Sequence, residues 1–222
     1  MNIFHHYSIP SFSNCYTLGE DNVTTNSNPH SKMGQTSIIK EAIIIDPGSI
    51  DSGLINFIES DHYQLLAVLL THSHANHTNG IRTLKRIYDF EIYAANQMVQ
   101  DCKANFVKDG DIFDVGSFHI QVISTPGHSI DSVVYKIGNI LFTGDALSAG
   151  KMGRTDSSYG AVRQISMVQN KVFTLHGNLM VFPGHGPPTS LEIERKFNIE
   201  TGMFQKNRNK SRRTAYNLEL ID

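Results

Sequence analysis

The chain reads as a mixed α/β domain built in layers. Short apolar runs alternate with stretches whose apolar residues recur at helical spacing, and turn residues separate the two kinds. Length agrees: 222 residues make one sizeable core and are too few for two full domains with a linker. A single domain is therefore expected over residues 1–200, followed by a basic C-terminal tail over 201–222.

Taken in order, Ala42-Ile43-Ile44-Ile45 is a β-branched run stopped by Asp46-Pro47-Gly48, a buried strand entering a turn. Leu54, Ile55, Phe57 and Ile58 then recur at helix-compatible spacing. Leu65 to Leu70 is a second continuous apolar run, read as a buried strand ending at Thr71-His72, and Ile81, Leu84, Ile87 and Tyr88 repeat helically after Asn79. The second half keeps this rhythm. Phe118, Ile120 and Val122 alternate as a strand that leads into Thr125-Pro126-Gly127-His128. Val133 to Ile137 and Ile140 to Phe142 flank Gly138-Asn139, a two-residue hairpin signal, and the second strand ends at Gly144-Asp145. A helix is expected from about Ala161 to Leu175. A strand from Leu179 to Phe182 then runs into Pro183-Gly184-His185-Gly186, and a last helix covers Glu192 to Phe197. The polar stretch Glu20 to Thr36 reads as a surface loop.

Composition narrows the function. The 40% apolar fraction is that of an ordinary globular protein. No apolar run approaches the roughly 20 residues that span a bilayer. The start, Met1 to His6, has neither the basic nor the apolar region of an export signal, so a cytoplasmic location is expected. A net charge of −2 implies no polyanionic partner. Lys206, Arg208, Lys210, Arg212 and Arg213 crowd the tail, but such runs are mostly solvated, and nucleic acid is not expected as a partner. The two cysteines, Cys15 and Cys102, have no CxxC spacing, which argues against a disulfide framework or a zinc finger.

Histidine is the unusual count: eleven, mostly in short segments bearing Gly, Ser or Pro. The sharpest signal is Thr71-His72-Ser73-His74-Ala75-Asn76-His77, with three imidazoles directly after a buried strand. Three so close can hardly all face one core. His72 and His74, two apart in an irregular turn, can converge on one ion while His77 faces a second. Neutral imidazole binds Zn²⁺, Fe²⁺ and Mn²⁺, and Asp145 offers anionic oxygen. Four expected strands each end in a turn carrying His or Asp, and loops on a rigid sheet are where sites are built. Zinc, as one or two ions, is the expected cofactor, with iron and manganese as alternatives.

These motifs resemble the metallo-β-lactamase superfamily, and within it the compact glyoxalase II-like hydrolases. His72-Ser73-His74-Ala75-Asn76-His77 looks like the HxHxDH signature. Thr125-Pro126-Gly127-His128-Ser129, Phe142-Thr143-Gly144-Asp145 and Pro183-Gly184-His185-Gly186 follow in the order of the later ligand motifs. Gly153-Arg154-Thr155-Asp156 resembles a stretch of the compact members, and the likeness runs roughly from Asn14 to Phe197. It implies a four-layer αββα sandwich with metals at one edge. It also implies that His72, His74 and His128 hold one ion, His77 and His185 a second, and Asp145 bridges both. One position departs from the pattern. Where the signature has Asp, which ligates the second metal and helps to orient the attacking water, this chain has Asn76. An amide keeps a carbonyl oxygen but loses the charge and cannot accept a proton, so the second ion is expected to bind less tightly.

The reaction expected from the resemblance is hydrolysis of an acyl bond by metal-bound hydroxide, with Asp145 and Asn76 as candidate catalytic residues. A thioester suits such a site, because a thiolate of pKa roughly 8.5 leaves with little help from an acid. A small hydroxyacyl thioester is the expected partner. Arg154 or a nearby lysine can hold a substrate carboxylate, and Tyr159 can wall a pocket, though both also read as ordinary surface residues. Two rivals share the residues. A persulfide dioxygenase would use a single iron on His72, His128 and Asp145, and a non-catalytic metal-binding protein would explain the loss of the carboxylate at Asn76.

Overall fold

The computed structural model describes residues 1–25 and 36–201. Residues 202–222 of the expected tail lie outside the described residues. The chain opens with β1 (Asn2–Ser8), β2 (Ser13–Thr25), β3 (Thr36–Ile45), α1 (Ser52–Ser60), β4 (Gln64–Leu69), α2 (Ala75–Thr78), α3 (Ile81–Ile87) and β5 (Glu91–Ala94). Short strands β6 (Met98–Val99), β7 (Cys102–Lys103) and β8 (Asn105–Phe106) come next, then β9 (Ile112–Val115), β10 (Phe118–Ser124), β11 (Val133–Ile137) and β12 (Ile140–Gly144). Last come α4 (Ser158–Met167), β13 (Met180–Pro183), β14 (Thr189–Ser190) and α5 (Leu191–Phe197).

Two six-stranded sheets form, in the orders β1-β2-β3-β4-β5-β8 and β14-β13-β12-β11-β10-β9, while β6 and β7 make a separate ribbon. Three apolar clusters explain how they stack. Tyr16, Leu18, Ile43, Ile45, Val122 and Phe142 meet between the sheets. Ala42, Ile44 and Val68, on the opposite face of the first sheet, pack with Leu54 and Ile58 of α1 and Ile81 and Leu84 of α3. Val134, Leu141 and Val181 do the same for the second sheet, against Val168, Val172 and Leu191. Two sheets with helices on both outer faces make the expected αββα sandwich. The runs Ala42–Ile45 and Leu65–Leu70 are apolar without alternation because both faces of these strands are covered.

Local signals set the helix starts. Asp51 caps α1 by accepting from the Leu54 N–H at 3.0 Å, and Ser157 caps α4 by accepting from Gly160 at 3.0 Å. The helix expected from Ala161 therefore begins at Ser158. It passes into a wider π turn over Val168–Val172, which keeps two fully buried valines on the sheet. The loop expected from Glu20 is corrected as well. β2 continues to Thr25 and pairs with β3 from Thr36 in register, because the ladder bonds form whatever the polarity of the side chains. Residues 26–35 of that stretch lie outside the described residues.

Topology brings the strand ends together. β3 and β4 run parallel. β10 and β12 are each antiparallel to β11, and β12 is parallel to β13, so these three point one way. Their C-terminal turns carry the candidate residues to one edge of the sandwich.

Candidate metal centre

The ligand atoms of His72, His74 and His128 lie within 4.8 Å of one another, and those of His77, Asp145 and His185 form a second such group. A third group, Asp46, His72 and His77, lies deeper and is wholly buried. All six sequence-predicted residues thus converge, and Asp145 stands between the first two groups. Its Oδ1 is 3.4 Å from His77 Nε2, and its Oδ2 is 3.4 Å from His128 Nε2 and 3.5 Å from His185 Nε2.

The outer nitrogens show how the rings are aimed. His128 Nδ1 donates to the Arg154 carbonyl at 2.5 Å, and His185 Nδ1 donates to the Phe12 carbonyl at 2.6 Å. Carbonyls only accept, so the Nε2 of each ring carries a bare lone pair. The Thr71 hydroxyl donates to Asp46 Oδ2 at 2.6 Å, which leaves its oxygen to accept from His72 Nδ1 at 3.1 Å. His72 Nε2 is then a buried lone pair without a partner, as is Asp145 Oδ1. His128 Nε2 faces His74 Nδ1 at 2.9 Å. Buried polar atoms without partners are rare, and imidazoles whose far nitrogens are pinned to oxygen are the usual arrangement around a metal. The donor set fits a divalent cation.

Charge differs from one end to the other. Burial, with His77 close by, pushes the His72 imidazole down to about 3, so it is neutral in the form that ligates. His74 is pulled down for the same reasons, burial first and then His128. Burial also pulls His77 down, but the carboxylates of Asp145 and Asp46 outweigh it and carry the ring up to about 9. Asp145 is held well below the usual carboxylate range: burial works against this, but His77 overcomes it.

Several supporting residues were not apparent beforehand. Asp46, read only as a turn, accepts from the Thr71 N–H at 2.8 Å and sits 3.2 Å from His77 Nδ1, in a left-handed conformation with φ 52°. It follows a buried strand just as Asp145 does, and that parallel was the available signal. Buried Gln164 donates to the carbonyls of Asp145 and Ala146 at 2.9 and 3.0 Å. Buried Asn14 donates to those of Pro183 and Gly186 at 2.9 and 2.7 Å, fixing the His185 turn. Neither carried a sequence signal, since both come from distant strands or helices. Asp131 ties the two histidine-bearing turns together, accepting from Ser73 and from Ser129. At Gly184 a Cβ would lie 2.5 Å from Asp145 Oδ1 and 2.6 Å from His77 Cε1, so glycine is what lets this turn close on the site.

Asn76 is half-buried on the short helix α2, with its Nδ2 3.0 Å from His185 Nε2. Because that nitrogen is bare, the amide N–H donates to it. His74, Asn76, His128, Asp145 and His185 form the floor of a cleft of about 600 Å³, walled by residues 148–154 and by Gly186 and Pro187. Lys151 and Arg154 stand in that wall; Tyr159 does not, lying 73% exposed beside a smaller depression next to His128.

A four-layer sandwich with a histidine and aspartate cluster at one edge defines the metallo-hydrolase class. The chain belongs to the Metallo-beta-lactamase superfamily, whose family model matches residues 36–96 and 105–191. Among its relatives, the hydroxyacylglutathione hydrolase GloC of Haemophilus influenzae is 28% identical over 183 residues, covering 72% of this chain and 86% of that one. The probable metallo-hydrolase YqgX of Bacillus subtilis is 28% identical over 182 residues, covering 71% of this chain and 86% of its own. Among solved structures, ETHE1 from Myxococcus xanthus superposes with a TM-score of 0.73 at 26% identity, over 91% of this chain and 85% of that one.

Proposed function

We propose that the protein is a cytoplasmic metal-dependent thioester hydrolase acting on a small hydroxyacyl thioester. One observation carries the reading: the donor atoms of His72, His74, His77, His128, Asp145 and His185 gather in adjoining groups, and four of these residues, His74, His128, Asp145 and His185, line the floor of an open cleft. A relative named as a hydroxyacylglutathione hydrolase supports the choice of substrate. His72, His74 and His128 would hold one divalent ion, zinc by the preference of imidazole, with His77 and His185 serving a second and Asp145 serving both. When bound, such an ion supplies Lewis acidity and acidifies water from a pKa of 15.7 to about 7.

The residues of the chain do the rest. Asp145, fixed through Gln164, sets the distance between the two groups. Asn76 points an amide into the cleft, so it orients by hydrogen bonding and does not take up a proton. Among the described residues Asp145 is the one carboxylate lining the cleft, and its neighbours hold it ionised, which favours a thiolate that departs without an acid. Lys151 and Arg154 offer cations to an acidic substrate.

Metal content per chain, measured without added metal alongside turnover of S-D-lactoylglutathione, tests this reading. At least one zinc with measurable hydrolysis is expected. One iron with oxygen uptake and no hydrolysis would replace the proposal by a persulfide dioxygenase, and absence of metal would replace it by a non-catalytic protein.

A further inference from the structure

The cleft wall over Ser148–Arg154 has little structure of its own. Ser148 and Lys151 form an isolated bridge closed by Gly150 at φ 77°, and both cations of the wall hang from this turn or follow it. Its backbone is instead taken up by the end of helix α5. The Gly150 N–H donates to both carboxylate oxygens of Glu194, at 3.0 and 3.1 Å. The Gly150 carbonyl accepts from the Ile199 N–H at 3.2 Å, and the Lys151 carbonyl accepts from Asn198 Nδ2 at 3.1 Å. Asn198 Nδ2 also donates to Glu194 Oε2 at 3.0 Å, and the Asn198 carbonyl accepts from the Thr201 hydroxyl at 3.0 Å.

Glu194 is the unusual member. It is fully buried, and among the described residues no lysine or arginine pairs with it. A buried carboxylate is expensive to desolvate, and an apolar residue would fill the place more stably. What Glu194 provides instead is an acceptor of fixed direction for one loop amide. We infer that Glu194 and Asn198 are positioning residues, which hold the Gly150–Lys151 turn so that the wall presents its cations to substrate. The functional part of this inference rests on the hydrolase reading above; the clamp itself does not.

Glu194→Gln keeps the size but turns one oxygen into a donor, which faces either the Gly150 N–H or Asn198 Nδ2. Exchange of the Gly150 amide should quicken by about tenfold or more, as expected when a hydrogen bond to a charged acceptor is lost. KM for S-D-lactoylglutathione should rise by about tenfold with kcat within about twofold and metal content unchanged, the signature of lost substrate binding. Asn198→Ala, a second variant should Glu194→Gln fail to fold, should shift the same two readouts less. Faster exchange with an unchanged KM, or a fall in kcat with loss of metal, would overturn the positioning role. If the unmodified protein hydrolyses no thioester, the hydrolase reading fails. The clamp is then judged by exchange alone, where unchanged Gly150 protection overturns it.

Discussion

The two halves of the candidate metal centre both rely on histidine and behave differently. At the half formed by His72, His74 and His128, burial keeps His72 uncharged and pulls His74 the same way. Neither ring has to shed a proton before an ion arrives, and the one hydrogen bond between histidines there joins His74 Nδ1 to His128 Nε2 at 2.9 Å. At the half formed by His77, Asp145 and His185, two carboxylates hold a proton on His77, and the amide of Asn76 occupies the lone pair of His185. An ion entering there has to displace a proton and a hydrogen bond. Ligand identity alone therefore does not make a site; the charges and donors behind the ligands decide how readily it fills.

Asp145→Ala strikes both halves and has the largest expected effect. Turnover should fall by about 10³-fold or more, roughly 4 kcal/mol of transition-state stabilisation. Both ions should also be held less well, as kinetics and elemental analysis would record. Full metal content with unchanged turnover would remove Asp145 from its place between the halves.

Asn76→Asp sharpens the contrast. It frees the His185 lone pair and adds a charge, so affinity for the second ion should rise by about 10- to 100-fold, at least the span that outer partners of a metal ligand command. Competition with a chelator measures this directly. An affinity that stays the same would mean Asn76 is not what sets the halves apart.

The smallest effect is the pH dependence of the metal-stripped protein. The folded pKa of His77, about 9, lies above the ordinary imidazole value of 6.5. Its charge therefore stabilises the metal-free fold fully below pH about 6.5, and this contribution is lost as pH rises through about 9. The melting temperature should decline over that window. In Asp46→Asn the decline should be smaller and end at lower pH, since one of the two carboxylates that raise the folded value is gone. A melting temperature that does not change between pH 6.5 and 9.5 would show that His77 holds no proton.

Much of this protein is settled by local chemistry that a sequence displays. Apolar runs with β-branched residues become strands, Gly138-Asn139 becomes a hairpin, and Asp51 and Ser157 start helices. The six side chains that gather at the edge of the sandwich stand in motifs at strand ends, so their candidacy was legible as well. What local pattern cannot carry is partnership across distance. The role of Asp46 depends on Thr71 and His77, Asn14 reaches the turn of His185, and Glu194 meets Gly150 only after α5 packs on the second sheet. The charge on His77 and the neutrality of His72 are likewise products of burial and of neighbours brought in by folding. The sequence by itself determined which groups are available and in what order. Tertiary structure decided which of them are desolvated together, because desolvation and through-space charge depend on three-dimensional distance.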